Sequence, residues 1–262
     1  MSANQKYLLL WPDLLLFRGL IDRALKAHQH HSIQLVIALE QAFLTKNLST
    51  GEWESKQALL IPPNASHQCD AQNLPVLTLK FEPESAIGQA LLTGLLHPNE
   101  VLDLSESKEL EVLKERINNQ LEKNDFAGIR AIVVQTLFDV FKLSNNKREL
   151  DPRIEQVRQY IQVHFGENLS TQDLMEVAHL SESRLLHLFK EQVGLPIRQY
   201  LQWERIRQAI LHVVQGHDLT EAAYFAGFSD AAHFSRSFLA RIGHPPSLVF
   251  KNSNSVQVFV AE

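Results

Sequence analysis

The stretch AHLSESRLLHLFKEQVG, residues 178–194, decides the reading of this chain, because it returns forty-nine residues later as GFSDAAHFSRSFLARIG, residues 227–243. Leu185 aligns with Phe234, Phe189 with Phe238 and Gly194 with Gly243; on either side Thr171 aligns with Thr220 and Pro196 with Pro245. Each copy has the same plan. A short helix comes first, with Ser170 and Asp173, or Asp218 and Glu221, three apart to satisfy its free amides. A tight turn follows at 178–181 or 227–230, where Gly227 suits a positive φ. A second helix then starts from Ser181, or from Ser229 or Asp230. In the first copy, Leu185, Phe189 and Gln192 share one side of that helix and Ser183, His187 and Lys190 the other. In the second, Phe234 and Phe238 face inward and Ala232 and Arg236 outward, flanked by His233 and Ser235. A face of small, polar and basic side chains fits a DNA major groove.

Around the two copies, residues 153–251 read as almost wholly helical with short gaps, the long segment from Ile197 to Gln215 joining them. Before them, residues 144–152 are a polar linker that ends at Pro152, a helix-starting proline. Residues 84–143 read as helices: Leu110, Leu113, Ile117 and Leu121, then Phe126, Ile129, Ile132, Val133, Leu137 and Phe141, recur at helical spacing on either side of Asn124 and Asp125. Residues 6–82 read as short apolar strands parted by turn residues such as Gly51 and Pro62-Pro63-Asn64, the pattern of a small sandwich or barrel. The expected fold is therefore α+β in two domains. Residues 1–143 form a β-barrel with a helix pair, 153–251 an all-α domain with two helix-turn-helix units, and 252–262 a tail.

Charge alone does not announce a nucleic-acid partner, since the chain carries 25 Lys and Arg against 30 Asp and Glu, a net −5. The helical region is balanced, so the acidic excess lies elsewhere, and only a faint electrostatic footprint favours DNA. The single cysteine, Cys69, rules out an intrachain disulfide, and no apolar run reaches transmembrane length. A cytoplasmic chain without a membrane partner is expected. No nucleophile triad, P-loop, dinucleotide fingerprint or zinc-cysteine cluster stands in the sequence, so catalysis and a cofactor are not expected.

With these motifs in place, residues 153–251 resemble the AraC/XylS family of transcription regulators. The stretch 178–194 is similar to that family's first helix-turn-helix, Arg205–Leu211 to its connecting helix, and Ala223–Phe238 with 243–246 to its second unit. The resemblance implies a regulator, by commoner mode an activator, that binds double-stranded DNA and contacts RNA polymerase. Its base-reading positions fall on Ser183, Leu186 and His187, then on Ala231, Ala232, Ser235 and Arg236. Arg184 and His233 stand at the rims, Lys190 shares the outward face, and Arg205 and Arg207 are candidates for phosphate or for an ion pair with Glu204. The family often has glutamine where Ala231 or Ala232 stands and arginine near Phe250, where this chain offers Lys251.

The family commonly adds a cupin-like sensing domain and dimerising helices, and residues 1–143 are compatible with both. Trp11, Phe17, Arg18, Phe43, Trp53 and Phe81 are the candidates to line an effector pocket. Helices in 105–143 are the candidate homodimer surface. His28, His30, His31 and His67 lie in stretches that resemble cupin turns and are the candidate metal ligands, with Glu40 and Cys69 as further donors at need; imidazoles that hydrogen-bond a turn are the expectation, with no metal. The alternative function is a cupin-type metalloenzyme with an accessory helical domain.

Overall fold

The computed structural model describes residues 5–20, 27–48, 50–83, 85–97, 100–143, 150–193, 195–242, 245–250 and 256–260. The chain divides into two units, Asn146–Ser253 and the remainder, Met1–Asn145 with Asn254–Glu262. The helical unit is thus an insertion in the chain of the first. Gly194, Gly243, Lys251 and residues 144–149 of the expected linker lie outside the described residues.

The first unit is built on two sheets. Strands β1 (Lys6–Leu10), β2 (Leu14–Leu20), β3 (Ile33–Ala38), β6 (Ala58–Ile61), β8 (Pro75–Phe81), β9 (Leu102–Asp103) and β10 (Val256–Val260) form one, in the order β10-β1-β2-β8-β3-β6-β9. Strands β4 (Phe43–Lys46), β5 (Trp53–Lys56) and β7 (Cys69–Asp70) form the other, in the order β5-β4-β7. Neighbours run antiparallel except β1 and β10, which are parallel.

The two-residue period of a strand sends alternate side chains to opposite faces, and both faces of the large sheet are apolar. Ile33, Leu35 and Ile37 join Leu77, Leu79 and Phe81 on one face, in a core closed by α1 (Ala86–Gly94), α2 (Lys108–Glu122) and α3 (Phe126–Phe141). Val36, Ala38, Leu59, Ile61 and Val76 face the small sheet, where Phe43, Ala65 and Ala71 complete a second core. Helix α2 buries the stripe expected of it, Leu110-Leu113-Ile117-Leu121, and α3 buries Ile129, Val133 and Leu137 of its stripe, with Phe126, Ile132 and Phe141 only partly buried.

Two expectations need correction. The sheets do not close into a barrel: β10 and β9 end the large sheet and β5 and β7 the small one, leaving a sandwich with edges. A barrel needs every strand paired on both sides, and the two-residue strands β7 and β9 are too short to carry closure. The supposed C-terminal tail also contains β10, which pairs residue for residue with β1, Lys6 opposite Val256 through Leu10 opposite Val260.

The second unit holds α4 (Pro152–Val163), α5 (Thr171–Ala178), α6 (Glu182–Val193), α7 (Ile197–Val214), α8 (Leu219–Phe225), α9 (Ala231–Ile242) and α10 (Pro246–Phe250). Pro152 opens α4, and Asp151 caps it by accepting from the Arg153 amide at 2.9 Å. Both expected capping boxes are complete, Ser170 with Asp173 on α5 and Asp218 with Glu221 on α8. The α5 turn passes through His179 at φ 51°, and the α8 turn through Gly227 at φ 78°. At Gly227 a Cβ would also fall 2.8 Å from the Gly166 carbonyl oxygen, so glycine serves both the dihedral and the close approach. Helix α7, about 27 Å long at 1.5 Å per residue, contributes Tyr200 to the core of the first copy and Trp203, Ile206 and Ile210 to the interior beyond it.

Candidate nucleic-acid interface

Helix α6 is fixed from below. Leu185, Leu188 and Phe189 are buried, and the Phe189 ring meets Tyr200 of α7 edge-on at 5.5 Å. That anchorage leaves Ser183, Arg184, Leu186, His187 and Lys190 exposed. Leu186 keeps 41% of its surface open, a large share for a leucine beside the fully buried Leu185. His187 lies 3.8 Å from Glu191 one turn on, an exposed pair.

Helix α9 repeats the design. Phe234 and Phe238 are buried, with ring centroids 5.6 Å apart, and Phe228 and Phe250 extend the aromatic row. Gln202 of α7 donates to Ser237 Oγ at 2.9 Å, and the Arg241 guanidinium lies over Trp203 at 4.7 Å, which locks the roll of the helix. Ala232 and Arg236 are then exposed, with Ala231, His233 and Ser235 half-buried beside them. His233 has work of its own: its amide donates to Asp230 at 2.6 Å, and its ring stands edge-on to Phe228 at 5.2 Å. The Asp230 carboxylate therefore caps α9, while α6 opens with the Ser181 backbone carbonyl accepting from the Leu185 amide at 2.9 Å.

Arg205 and Arg207 do not belong with these faces. Arg207 is buried, and its guanidinium donates to both oxygens of Glu204, itself buried, at 2.8–3.1 Å. Arg205 donates to the carbonyls of Phe165 and Glu167 at 2.8 and 2.7 Å, tying α7 to the end of α4. Both cations are spent inside the unit, so the phosphate role is withdrawn and the ion-pair reading of Arg207 stands.

The expected effector-pocket residues do not converge in the first unit. Trp11 and Phe81 are buried in the core under the helices, while Phe43 lies between the sheets. Phe17 is in register with Thr78 and Val36 on that same inner face. Trp53 is exposed with Lys46 Nζ 5.9 Å from its ring, and Arg18 is buried, donating to Asn118 and to the Gln5 carbonyl. A cleft of about 330 Å³ opens beside the small sheet, among Thr45, Lys46, Lys56, Leu59, Ile61 and His67. Apart from His67, its residues do not stand out in the sequence, because short, mixed strands carry no pocket signal. Three of the four histidines named above do meet: ring nitrogens of His28, His30 and His67 lie within 4.8 Å of one another, while His31 and Glu40 stand outside that group. Cys69 lies 3.9 Å from Thr45 Oγ1, and burial pushes its thiol up to about 11.

Comparison with known proteins agrees with this geometry. Residues 174–252 match a family model described as a helix-turn-helix domain. An uncharacterised HTH-type transcriptional regulator of Staphylococcus aureus is 29% identical over 136 residues, which cover 48% of this chain but only 18% of that relative. The HTH-type regulator YbfI of Bacillus subtilis is 29% identical over 188 residues, covering 67% of this chain and 68% of the relative. Among solved structures, apo ToxT K231A of Vibrio cholerae aligns with 90% of this chain and 96% of its own at a TM-score of 0.51 and 14% identity. A ToxT structure with bound unsaturated fatty acid aligns at the same TM-score over 94% of this chain and 98% of its own. These likenesses give the fold of the chain. No described helix is long and apolar enough to cross a membrane.

Proposed function

We propose that this chain, whose C-terminal unit carries an AraC-type helix-turn-helix domain, is a transcription regulator that reads double-stranded DNA with α6 and α9. The observation that carries the reading is the repeated anchorage of these two helices. In each, leucine or phenylalanine pairs are buried while a row of small, polar and basic side chains is left open. Ser183, Arg184, Leu186, His187 and Lys190 form the first reading face, and Ala231, Ala232, His233, Ser235 and Arg236 the second. Arg236 pairs bidentately with guanine, and Leu186, Ala231 and Ala232 meet thymine methyl groups. With few cations on either face, affinity per helix is modest, and α7 supplies the register that lets both contribute. The metalloenzyme alternative is not favoured, since the matched domain and the relatives are those of DNA-binding regulators.

The signal enters through the first unit. The cleft beside the small sheet has Leu59, Ile61 and Lys46 in its wall, with Lys56 held by Glu54 and Asp103, and suits a small molecule that joins an apolar body to an acid group. A ToxT structure carries an unsaturated fatty acid, which supports the same ligand class here. Helices α2 and α3 are the surface proposed for a homodimer, and RNA polymerase the partner through which the regulator acts, by activation. Sequencing the DNA fragments that the purified chain retains, followed by salt titration of the recovered site, tests the core of this reading. One recurrent motif and a steep salt dependence are expected; retention of random fragments alone would reject it.

A further inference from the structure

We propose that His28, His30 and His67 form a binding site for one divalent transition-metal ion of the Zn2+ type. The two chain segments that supply the rings are fixed at the histidines themselves. His28 and His67 exchange backbone hydrogen bonds, amide to carbonyl, at 3.0 and 2.9 Å, and the Asn64 amide donates to the His30 carbonyl at 2.8 Å. The rings pack on one another, with centroids of His28 and His67 4.3 Å apart and those of His30 and His67 4.9 Å apart. Three imidazoles in mutual contact gain little from one another as hydrogen-bonding groups. As ligands of one ion they form a recognised nitrogen set.

Two rings are already set in the tautomer that a metal requires. His67 Nδ1 stands 2.9 Å from the Ala65 carbonyl and His30 Nδ1 2.9 Å from the Ser32 carbonyl. A carbonyl only accepts, so each Nδ1 carries the proton and each Nε2 the lone pair. This is the outer-shell contact that orients metal-binding histidines. His67 is 4% exposed, and its Nε2 is buried without a hydrogen-bond partner. His30 Nε2 lies 2.8 Å from Gln34 Oε1, a lone pair facing an acceptor unless the amide is turned. The three nitrogens lie within 4.8 Å of one another, against a tetrahedral donor spacing of about 3.4 Å, so binding an ion draws the rings together. Because His67 also belongs to the wall of the cleft, the remaining coordination position falls to water or to an acid group of a small molecule there.

One group opposes the ion. Lys80 faces Gln34 across the β3–β8 pairing, and its charge is felt at both His30 and His67. Removing that charge by Lys80→Met should tighten binding about tenfold.

The test uses the full chain, stripped with a chelator and without DNA, so that its outcome is independent of the regulator reading. Zn2+ is titrated by calorimetry and Co2+ by visible absorption. One ion per chain with Kd below about 1 µM is expected, with the Co2+ ligand-field band of a nitrogen-rich site. His28→Gln and His67→Gln should each weaken binding at least about a hundredfold, while the exposed His97→Gln leaves it unchanged. Nitrogen NMR of the unsubstituted chain reads the three rings directly, whatever the variants do to folding. Histidine signals of the triad that stay in place on Zn2+ addition, or Zn2+ binding retained by both folded variants, overturn the site.

Discussion

Leu8 of β1 lies opposite Val258 of β10 in a parallel pairing, although the whole helical unit intervenes between them in sequence. Phe259 seals the joint, its ring 5.8 Å from Trp11 and 5.9 Å from Phe126 of α3. The strand covers an edge that would otherwise expose unpaired amides of β1. Removal of residues 254–262 should therefore destabilise the first unit and speed hydrogen exchange in Lys6–Leu10, with the helical unit unaffected. Phe259→Ala, at a half-buried site, should cost about 1–2 kcal/mol, less than the ~3–5 kcal/mol of a fully buried phenylalanine. Unchanged exchange in β1 after truncation would show that β10 adds nothing to the sheet.

Two arginines in the helical unit should respond to alanine in opposite ways. Arg207 is buried against Glu204, which also accepts from Gln208 at 2.9 Å. Its loss leaves a buried carboxylate short of its cation, a defect of about 3–5 kcal/mol, so Arg207→Ala should lower the melting temperature sharply. Arg236 is exposed and forms no part of a core. Arg236→Ala should leave melting unchanged while weakening specific DNA binding by about 1–3 kcal/mol, the value of one bidentate base contact. Thermal unfolding and gel-shift titration of both variants separate the roles. Full operator affinity in Arg236→Ala would remove it from the reading face.

The same contrast shows what the sequence could disclose. Periodicity placed Leu185, Phe189, Phe234 and Phe238 inside and His187 and Arg236 outside, because a helix face is a local property. The strands β1, β2, β3, β6 and β8 were equally plain as apolar runs. Arg205 was not legible, since its carbonyl partners lie thirty-eight and forty residues away in sequence. Nor was the face of an aromatic: Trp11 and Phe43 are both buried, but on opposite sides of the large sheet. The segment Val256–Val260 has a strand's composition, yet only pairing with Lys6–Leu10 gives it a place. The meeting of His28, His30 and His67 likewise depends on a bridge between distant turns.

Acid should loosen the helical unit through its caps. Hydrogen bonds and charge from Arg153 hold the Asp151 carboxyl at about 2, and the Ser170 amide and the His233 amide hold Asp173 and Asp230 below the ordinary range. A carboxyl depressed in the folded state stabilises it above the unfolded pKa of about 3.9 and loses that contribution as pH falls toward the folded value. The melting temperature of the helical unit should thus fall between about pH 4 and pH 2. Asp151→Asn, which cannot titrate, should show a shallower fall. An identical slope in the variant would mean that this cap does not contribute.

The two turns should answer differently to a change of residue. Gly227 at φ 78° has Gly166 backbone where a Cβ would go, so Gly227→Ala combines left-handed strain with a backbone clash. A loss of about 2–3 kcal/mol is expected, at the upper end of ordinary single-site effects. His179 adopts φ 51° with a side chain already present and exposed. Here His179→Gly removes strain of about 1 kcal/mol but adds freedom to the unfolded chain worth up to about the same, so the net change should stay within about 0.5 kcal/mol. Chemical denaturation of the full chain measures both. The two turns occupy nearly the same place in the repeat, so equal responses would place the constraint in the helix ends they join, not in the Gly166–Gly227 approach.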